Sequence, residues 1–230
     1  MSPCPRGMSM GSGEEPDADA RQLREGVEMT AISTMTTHDD LYRATGRPAL
    51  VEVPPARFLT IDGSGSPDGE PFQQAVGALY SIAYTAKFAL KEAGGPTVKV
   101  PPLEGLYDVF PDPAQALDDA IRERLRWTLM IRLLEPIDEA QVDRARAEAV
   151  RKKSLPSIAD VRIERFDEGT CAQILHVGPY AEETATIEAL RAFIADEGRT
   201  AHGRHHEIYL SVPGRTKPER MKTLLRQPVS

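Results

Sequence analysis

One order of segments occurs twice along the chain, and this repeat limits the possible folds more than any other feature of the sequence. In the first half, the strand-like run Phe58-Leu-Thr-Ile precedes a helical segment and then a strand-like segment that carries Glu104. In the second half, Ile174-Leu-His-Val precedes a helical segment and then a strand-like segment that carries Glu207. One more strand closes each half. This order predicts a β-α-β-β unit that is used twice.

A duplicated β-α-β-β unit favours an α+β fold, in which an antiparallel sheet carries its helices on one face. We place the domain at residues 38–230 and its pseudo-symmetric halves at about residues 49–135 and 158–228. The junction of two such units is a common location for a small-molecule ligand. We therefore expect a ligand groove between the halves.

Three segments show the features of helices. Apolar residues recur at helical spacing between Pro71 and Ala93, where the proline suits a first turn and Gly94-Gly95-Pro96 ends the helix. The segment from Asp138 to Lys153 is amphipathic, with an acidic start and a basic end that suit the helix dipole. A third apolar stripe predicts a helix from Glu182 to Glu197.

Several apolar segments show strand character. In Leu125–Leu134, the period of two places Trp127, Leu129 and Ile131 on one face. The segment Val161–Val177 is either a strand pair or one long bent strand. Residues 111–119 are predicted to be a polar connection. The remaining predicted strands are Ala49–Ile61, which is interrupted by Pro54-Pro55, Thr97–Val109 with Glu104, the Glu207 strand and Met221–Leu225.

The composition excludes some classes of function. Residues 1–37 have few large apolar side chains and are predicted to be a disordered extension. The net charge of −7 argues against a nucleic-acid partner, which usually requires a basic face. The chain has two cysteines, with Cys4 in the extension, and contains no apolar run that could span a membrane. We expect a cytoplasmic protein.

Glu207 is the most informative single residue, because a carboxylate in an otherwise apolar strand needs a reason. It either faces solvent or pairs with Arg204 or Arg226, or it projects into an apolar cleft where burial raises its pKa and suits it to act as a general base. Tyr209 lies two residues later and therefore on the same strand face. The neighbours His205 and His206 point to opposite faces and cannot easily share an ion, so neither a metal nor another cofactor is expected.

From about Asp40 to Val229 the chain resembles the GyrI-like small-molecule-binding proteins, which are related to the effector-binding domains of MerR-type multidrug regulators. These residues show no winged-helix DNA reader, so we do not expect the chain to be such a regulator itself. After Leu-Glu-Gly-Leu the family usually has a tryptophan pair, where this chain has Tyr107-Asp108. The resembling pieces follow the family's order and include Phe58-Leu-Thr-Ile-Asp-Gly-Ser-Gly, Ala78-Leu-Tyr-Ser-Ile-Ala-Tyr, Pro102-Leu-Glu-Gly-Leu, Trp127-Thr-Leu-Met-Ile-Arg, His176-Val-Gly-Pro-Tyr and His206-Glu-Ile-Tyr-Leu.

The resemblance implies a protein that binds flat, hydrophobic, often cationic compounds. One subgroup of the family hydrolyses the strained cyclopropane of DNA-alkylating cyclopropanoid natural products and so protects the cell. We therefore expect an enzyme of this kind. The alternatives are a multidrug-binding or sequestering protein without chemistry, and an inhibitor that acts on DNA gyrase.

The site residues follow from these two lines of reasoning. Glu207 would deprotonate water, and a tyrosine hydroxyl would donate to the developing phenolate. Tyr84, Tyr107, Tyr180 and Tyr209 are alternative donors. We predict that Glu207 and Tyr84 are the catalytic residues. The predicted substrate-binding residues are Glu104, Tyr107, Trp127, Tyr180 and Tyr209.

Overall fold

The computed structural model describes residues 33–34, 39–108, 125–133, 135–153, 155–212 and 214–230. These residues form one nine-stranded sheet, in which every pairing is antiparallel except the parallel pairing of β1 with β2. The strands are β1 (Ser33–Thr34), β2 (Ala49–Val53), β3 (Ala56–Ser64), β4 (Leu103–Tyr107), β5 (Arg126–Arg132), β6 (Arg162–Phe166), β7 (Gly169–Val177), β8 (His205–Tyr209) and β9 (Lys222–Pro228).

The sheet confirms the duplicated plan and the α+β class. Its strand order is β1-β2-β7-β9-β8-β4-β5-β3-β6. β2 and β3 form one strand bent at Pro54-Pro55, where two residues without a backbone N–H interrupt the ladder. β6 and β7 form a second bent strand and do not pair with each other, so the predicted segment 161–177 is one long bent strand. β2 pairs with β7, β3 with β6 and β4 with β8, so three strand pairs join the halves.

Three α-helices are present in the described residues: α1 (Glu70–Glu92), α2 (Glu139–Lys152) and α3 (Thr184–Asp196). α1 begins with Pro71 in its first turn and is followed by Gly94 at φ 77°, a conformation that glycine adopts without a Cβ clash. α2 begins with a capping box between Asp138 and Gln141. All three helices lie where the hydrophobic periodicity predicted them.

The helices α1 and α3 cover the same face of the sheet. Leu79 and Ile82 of α1 pack in one core cluster with Leu129 of β5. Leu190 of α3 packs in a second cluster with Leu225 of β9. The strand register places Leu129 and Leu225 on one side, because residues directly opposite each other in neighbouring strands share a face. We call this side the helix face and the other side the opposite face.

The seam between the halves is the β4–β8 pair, and its register decides where each polar side chain points. Leu103 lies opposite Tyr209, Gly105 opposite Glu207, and Tyr107 opposite His205. These residues lie on the helix face. The intervening residues, which include Glu104 and His206, lie on the opposite face because side chains alternate along a strand.

The structure moves some predicted boundaries. The strand predicted at 97–109 begins at Leu103, because Pro101 and Pro102 cannot donate to a ladder. The last strand continues to Pro228, three residues beyond the prediction. Ser33–Thr34, assigned to the disordered extension, pair with β2. The rest of that extension and the polar connection at 111–119 lie outside the described residues.

Candidate functional site

Two tyrosines meet at the centre of the seam on the helix face. Tyr107 and Tyr209 occupy equivalent positions of β4 and β8, and their hydroxyl oxygens are 2.5 Å apart. They meet above Gly105, where a Cβ atom would lie 3.3 Å from each hydroxyl. The glycine therefore provides the space in which the two hydroxyl groups form a hydrogen bond.

Glu207 lies directly opposite Gly105 and completes this group. The Tyr209 hydroxyl donates to Oε2 of Glu207 at 2.9 Å. Because this bond uses the only Tyr209 proton, the Tyr107 hydroxyl is the donor to Tyr209. Burial raises the pKa of Glu207 to about 7, against the lowering effects of the Tyr209 hydrogen bond and the His206 charge. Glu207 can therefore exchange a proton near neutral pH.

A second carboxyl group, Glu183, faces Glu207 from the start of α3. It is buried, and its Oε1 atom accepts no hydrogen bond within the described part of the chain. Burial and, second, the charge of Glu207 raise the pKa of Glu183 to about 9. Glu183 is thus a neutral acid at pH 7, beside a carboxyl group that is partly ionised.

Two tyrosine rings lie beside the two carboxyl groups, and a row of aromatic side chains follows α1. The rings of Tyr180 and Tyr209 pack edge to face with centroids 6.0 Å apart. Burial, followed by the charges of Glu183 and Glu207, raises the pKa of Tyr180 to about 12, so its hydroxyl group stays protonated. Along α1, Tyr80 and Phe88 stack on either side of Tyr84.

His205 also lies on the helix face, with Nε2 3.8 Å from Oε1 of Glu207. Burial lowers the pKa of His205 to about 3, so the imidazole is neutral at pH 7. Within the residues described, no group of three or more His, Cys, Asp or Glu side chains is arranged to hold a metal ion.

The expectation that Glu104 and Glu207 face the same cleft is wrong, because Glu104 lies on the opposite face. There it accepts a hydrogen bond from Tyr42 at 2.8 Å and approaches Nε2 of His206 at 3.0 Å. The repeat offset of 102 residues, taken from the Tyr107–Tyr209 match, relates Glu207 to Gly105 and Glu104 to His206. The one-residue difference reverses the face to which the side chain points.

Two other predicted site residues lie elsewhere than expected. Trp127 is buried in the core, edge to face with Phe72, and its Nε1 donates to the Gly65 carbonyl at 3.2 Å. Its ring rests against Gly63, so it cannot form a stacking wall for a ligand. Tyr84 is exposed in its aromatic row on α1, while the hydroxyl group bound to Glu207 belongs to Tyr209. The pairing of Glu207 with Tyr84 is therefore not the one in the structure.

The alternation of β8 correctly predicted that Glu207 and Tyr209 share a face. Sequence reasoning missed Glu183. The residue lies in the acidic pair Glu182-Glu183 before a helix, where an exposed side chain is the ordinary expectation. Only the packing of α3 against β7 and β9 buries it.

Comparison with known proteins places this geometry in a family. The model of the GyrI-like small molecule binding domain matches residues 47–230. Among proteins of curated function, none matches the chain.

Solved structures agree with the family model. An uncharacterized conserved protein from Listeria innocua is 37% identical, with a TM-score of 0.76 and a match that covers 84% of this chain and 97% of that one. A hydrolase from Listeria innocua is 36% identical, with a TM-score of 0.72 and coverage of 84% and 96%. The EcmrR C-terminal domain is 13% identical, with a TM-score of 0.51 and coverage of 80% and 97%, a likeness of fold alone.

In the described part of the chain, none of the helices has the length and apolar character needed to cross a membrane. The family model spans both halves of the sheet and the seam between them. The chain belongs to the GyrI-like family of small-molecule-binding domains.

Proposed function

We propose that this GyrI-like domain hydrolyses the cyclopropane ring of planar, DNA-alkylating cyclopropanoid compounds and thereby detoxifies them. The observation that carries the proposal is the pair of facing carboxyl groups at the seam, Glu207 with a pKa of about 7 and Glu183 with a pKa of about 9. Paired titratable groups with separated pKa values are typical of acid–base catalysis. Relatives described as hydrolases, at 36 and 37% identity, support this reaction class.

The ring opening would use the two carboxyl groups in different roles. Glu207, as carboxylate, takes a proton from water while the water oxygen bonds to a ring carbon. The ring C–C bond breaks, and its electron pair moves through the conjugated system to the carbonyl oxygen, which becomes a phenolate. Glu183 then donates its proton to that oxygen, so the product contains one added water molecule.

The tyrosines have distinct tasks in this scheme. Tyr209 orients the Glu207 carboxylate, and Tyr107 fixes the Tyr209 hydroxyl group, so both protons are already in use. Tyr180 keeps its proton, since its pKa is about 12, and is the tyrosine that can donate to the developing phenolate. This replaces Tyr84 with Tyr180 as the stabilising donor.

The charge of the site favours neutral ligands over dications. Glu104 lies on the opposite face, and Glu183 is protonated at pH 7, so Glu207 alone supplies negative charge among the carboxyl groups described at the seam. A flat neutral compound with a conjugated carbonyl group fits aromatic walls and two hydrogen-bond donors.

The test is incubation with a cyclopropanoid alkylator in water enriched in oxygen-18, followed by mass spectrometry of the product. The wild-type protein should give the ring-opened product with one labelled oxygen. Glu207→Gln should lower kcat/KM by roughly 10²- to 10⁴-fold, the usual contribution of a general base. Glu188→Gln, an exposed change on α3, is the matched control and should turn over normally. Full activity in Glu207→Gln would refute the proposal.

Binding without chemistry is the second candidate, and the exposed aromatic row on α1 favours it. Tyr84 is 44% exposed and Phe88 is 53% exposed, which is unusual for large apolar rings. A planar fluorescent dye that saturates one site, in a protein that forms no ring-opened product, would support sequestration. Loss of this dye binding in Tyr84→Ala with retained hydrolysis would separate the two roles.

A further inference from the structure

The opposite face of β8 holds a buried cluster of charges behind the candidate site. His206 lies between two carboxylates, with Nδ1 2.7 Å from Oε1 of Glu168 and Nε2 3.0 Å from Oε2 of Glu104. Arg226 approaches the other Glu168 oxygen at 3.2 Å. The four side chains are buried, so each charge needs a partner within the protein.

Neutral groups complete the cluster and fix its geometry. Tyr42 donates to Glu104, while Arg226 donates to the side-chain oxygen of Gln173 and to the Leu41 carbonyl. Burial opposes a charged His206, but Glu168 and Glu104 outweigh it and raise the pKa of His206 to about 9. Burial likewise opposes a charged Glu168, but His206 and Arg226 hold its pKa at about 2. His206 is therefore a fixed cation at neutral pH.

The cation is adjacent to Glu207 in the chain. Consecutive Cα atoms are about 3.8 Å apart, and the two side chains leave the strand on opposite faces. Charges separated by protein interior interact more strongly than charges in water, so the His206 cation acts on Glu207. The described titratable groups that face Glu207 from β4, β8 and the start of α3 are all neutral at pH 7. These neutral groups are Tyr107, Tyr180, Glu183, His205 and Tyr209.

We propose that His206, clamped by Glu104 and Glu168, is a positioning residue that biases the protonation of Glu207 through the sheet. Its catalytic consequence rests on the proposed role of Glu207 as a base, but the electrostatic effect does not. The charge of His206 favours the carboxylate form of Glu207. Glu104 partly offsets that charge, so the two residues act on Glu207 in opposite directions.

The test is a carbon-13 NMR titration of the full chain labelled at glutamate side-chain carboxyl groups. The Glu207 signal is identified by its absence in Glu207→Gln. His206→Gln removes a positive charge and should raise the Glu207 midpoint by roughly half to one pH unit. Glu104→Gln removes a negative charge and should lower it by a similar amount. The double variant should return close to the wild-type midpoint.

Two controls separate this effect from a structural one. Tyr42→Phe removes a hydrogen bond to Glu104 without a change of charge and should leave the midpoint unchanged. Glu164→Gln removes a negative charge from a solvent-exposed position on the same face, where water screens it, and should also have no effect. Shifts of the same sign, or no shift, in folded His206→Gln and Glu104→Gln would overturn the proposal.

If His206→Gln does not fold, Glu104→Gln decides alone: a downward shift supports the proposal and an unchanged midpoint overturns it. The titration needs no substrate, so it is independent of the hydrolase proposal. Absence of turnover would refute that function while leaving the opposite-signed shifts to be measured. Where turnover is present, the acid limb of the pH profile of kcat/KM should move with the midpoint.

Discussion

The two faces of the β4–β8 seam are built from alternating residues of the same strands, yet they treat charge in opposite ways. On the opposite face, His206 and Arg226 neutralise Glu168, and His206 also meets Glu104. On the helix face, Glu207 and Glu183 confront each other, and hydroxyl groups and a neutral imidazole surround them. One face therefore fixes its protons, whereas the other keeps Glu207, which can change protonation near pH 7, beside the protonated Glu183.

The two faces differ in what their charged groups contribute: one stabilises the fold, and the other is suited to proton transfer. The ion network links β8 to Glu104 of β4 and to Glu168 at the bend between β6 and β7, and Arg226 of β9 extends it to the Leu41 carbonyl. The buried Glu183 and the half-buried Glu207, which face each other without a cation between them, are unfavourable for folding, but such perturbed groups are typical of reactive sites. Breaking each face should therefore change stability in opposite directions.

The largest effect is expected from breaking the opposite face at Glu168. Glu168→Gln leaves His206 and Arg226 buried without their shared counter-ion, a change that typically costs about 3–5 kcal/mol. Urea unfolding at pH 7 should show this loss as a lower midpoint with an unchanged slope.

The matched control for that variant is Glu164→Gln, which changes the same residue type at an exposed ion pair. Its loss of unfolding free energy should stay below about 1 kcal/mol. Equal losses in the two variants would show that the buried network does not stabilise the fold.

A smaller effect of the opposite sign is expected from the helix face. The pKa of Glu207 is higher in the folded chain than the ordinary value of 4.5, so its contribution to stability is fully present below about pH 4.5 and is lost as the pH rises through about 7. Glu207→Gln has no carboxyl group to ionise at this position, so its unfolding free energy should not fall over this pH range. At pH 8 the variant should be more stable than wild type by about 1–2 kcal/mol.

Urea unfolding at pH 5, 6 and 8 measures this difference. The comparison at pH 5 and 6 is the cleanest, because His206, whose pKa rises to about 9, loses its own contribution only above about pH 6.5. Glu188→Gln should keep the wild-type pH dependence. An unchanged dependence in Glu207→Gln would show that the carboxyl group is solvated rather than buried.

The contrast between the faces also shows what could be predicted from the sequence. Hydrophobic periodicity located the helices, and the period of two placed Tyr209 beside Glu207, because both patterns depend on local geometry. The pairing of Glu104 with Glu207 was wrong because it required the register between β4 and β8, which are neighbours in the sheet but far apart in the sequence. The exact match is Tyr107 with Tyr209, which places Gly105 opposite Glu207.

Glu183 was missed and Trp127 was assigned a ligand-binding role for a related reason. The burial of Glu183 depends on how α3 packs against β7 and β9, and the sequence near residue 183 contains no sign of that contact. Trp127 is a large aromatic residue in a ligand-binding fold, so a stacking role was reasonable. Gly63 on the neighbouring strand instead creates the space that buries its ring.

The smallest effects are expected from the hydrogen bonds that run from Tyr107 through Tyr209 to Glu207. The relative size of these effects tests which hydroxyl group donates to which. Tyr209→Phe removes the hydrogen bond to Glu207, so the pKa of Glu207 should rise and the unfolding free energy should fall by about 1 kcal/mol at pH 8. Tyr107→Phe removes only a bond between hydroxyl groups and should have a weaker effect on both quantities. Tyr84→Phe, which keeps the stacked ring on α1, should change neither. If Tyr107→Phe raised the pKa of Glu207 more than Tyr209→Phe does, the donor order from Tyr107 through Tyr209 to Glu207 would be wrong, and the helix face would lack the oriented base that distinguishes it from the face behind.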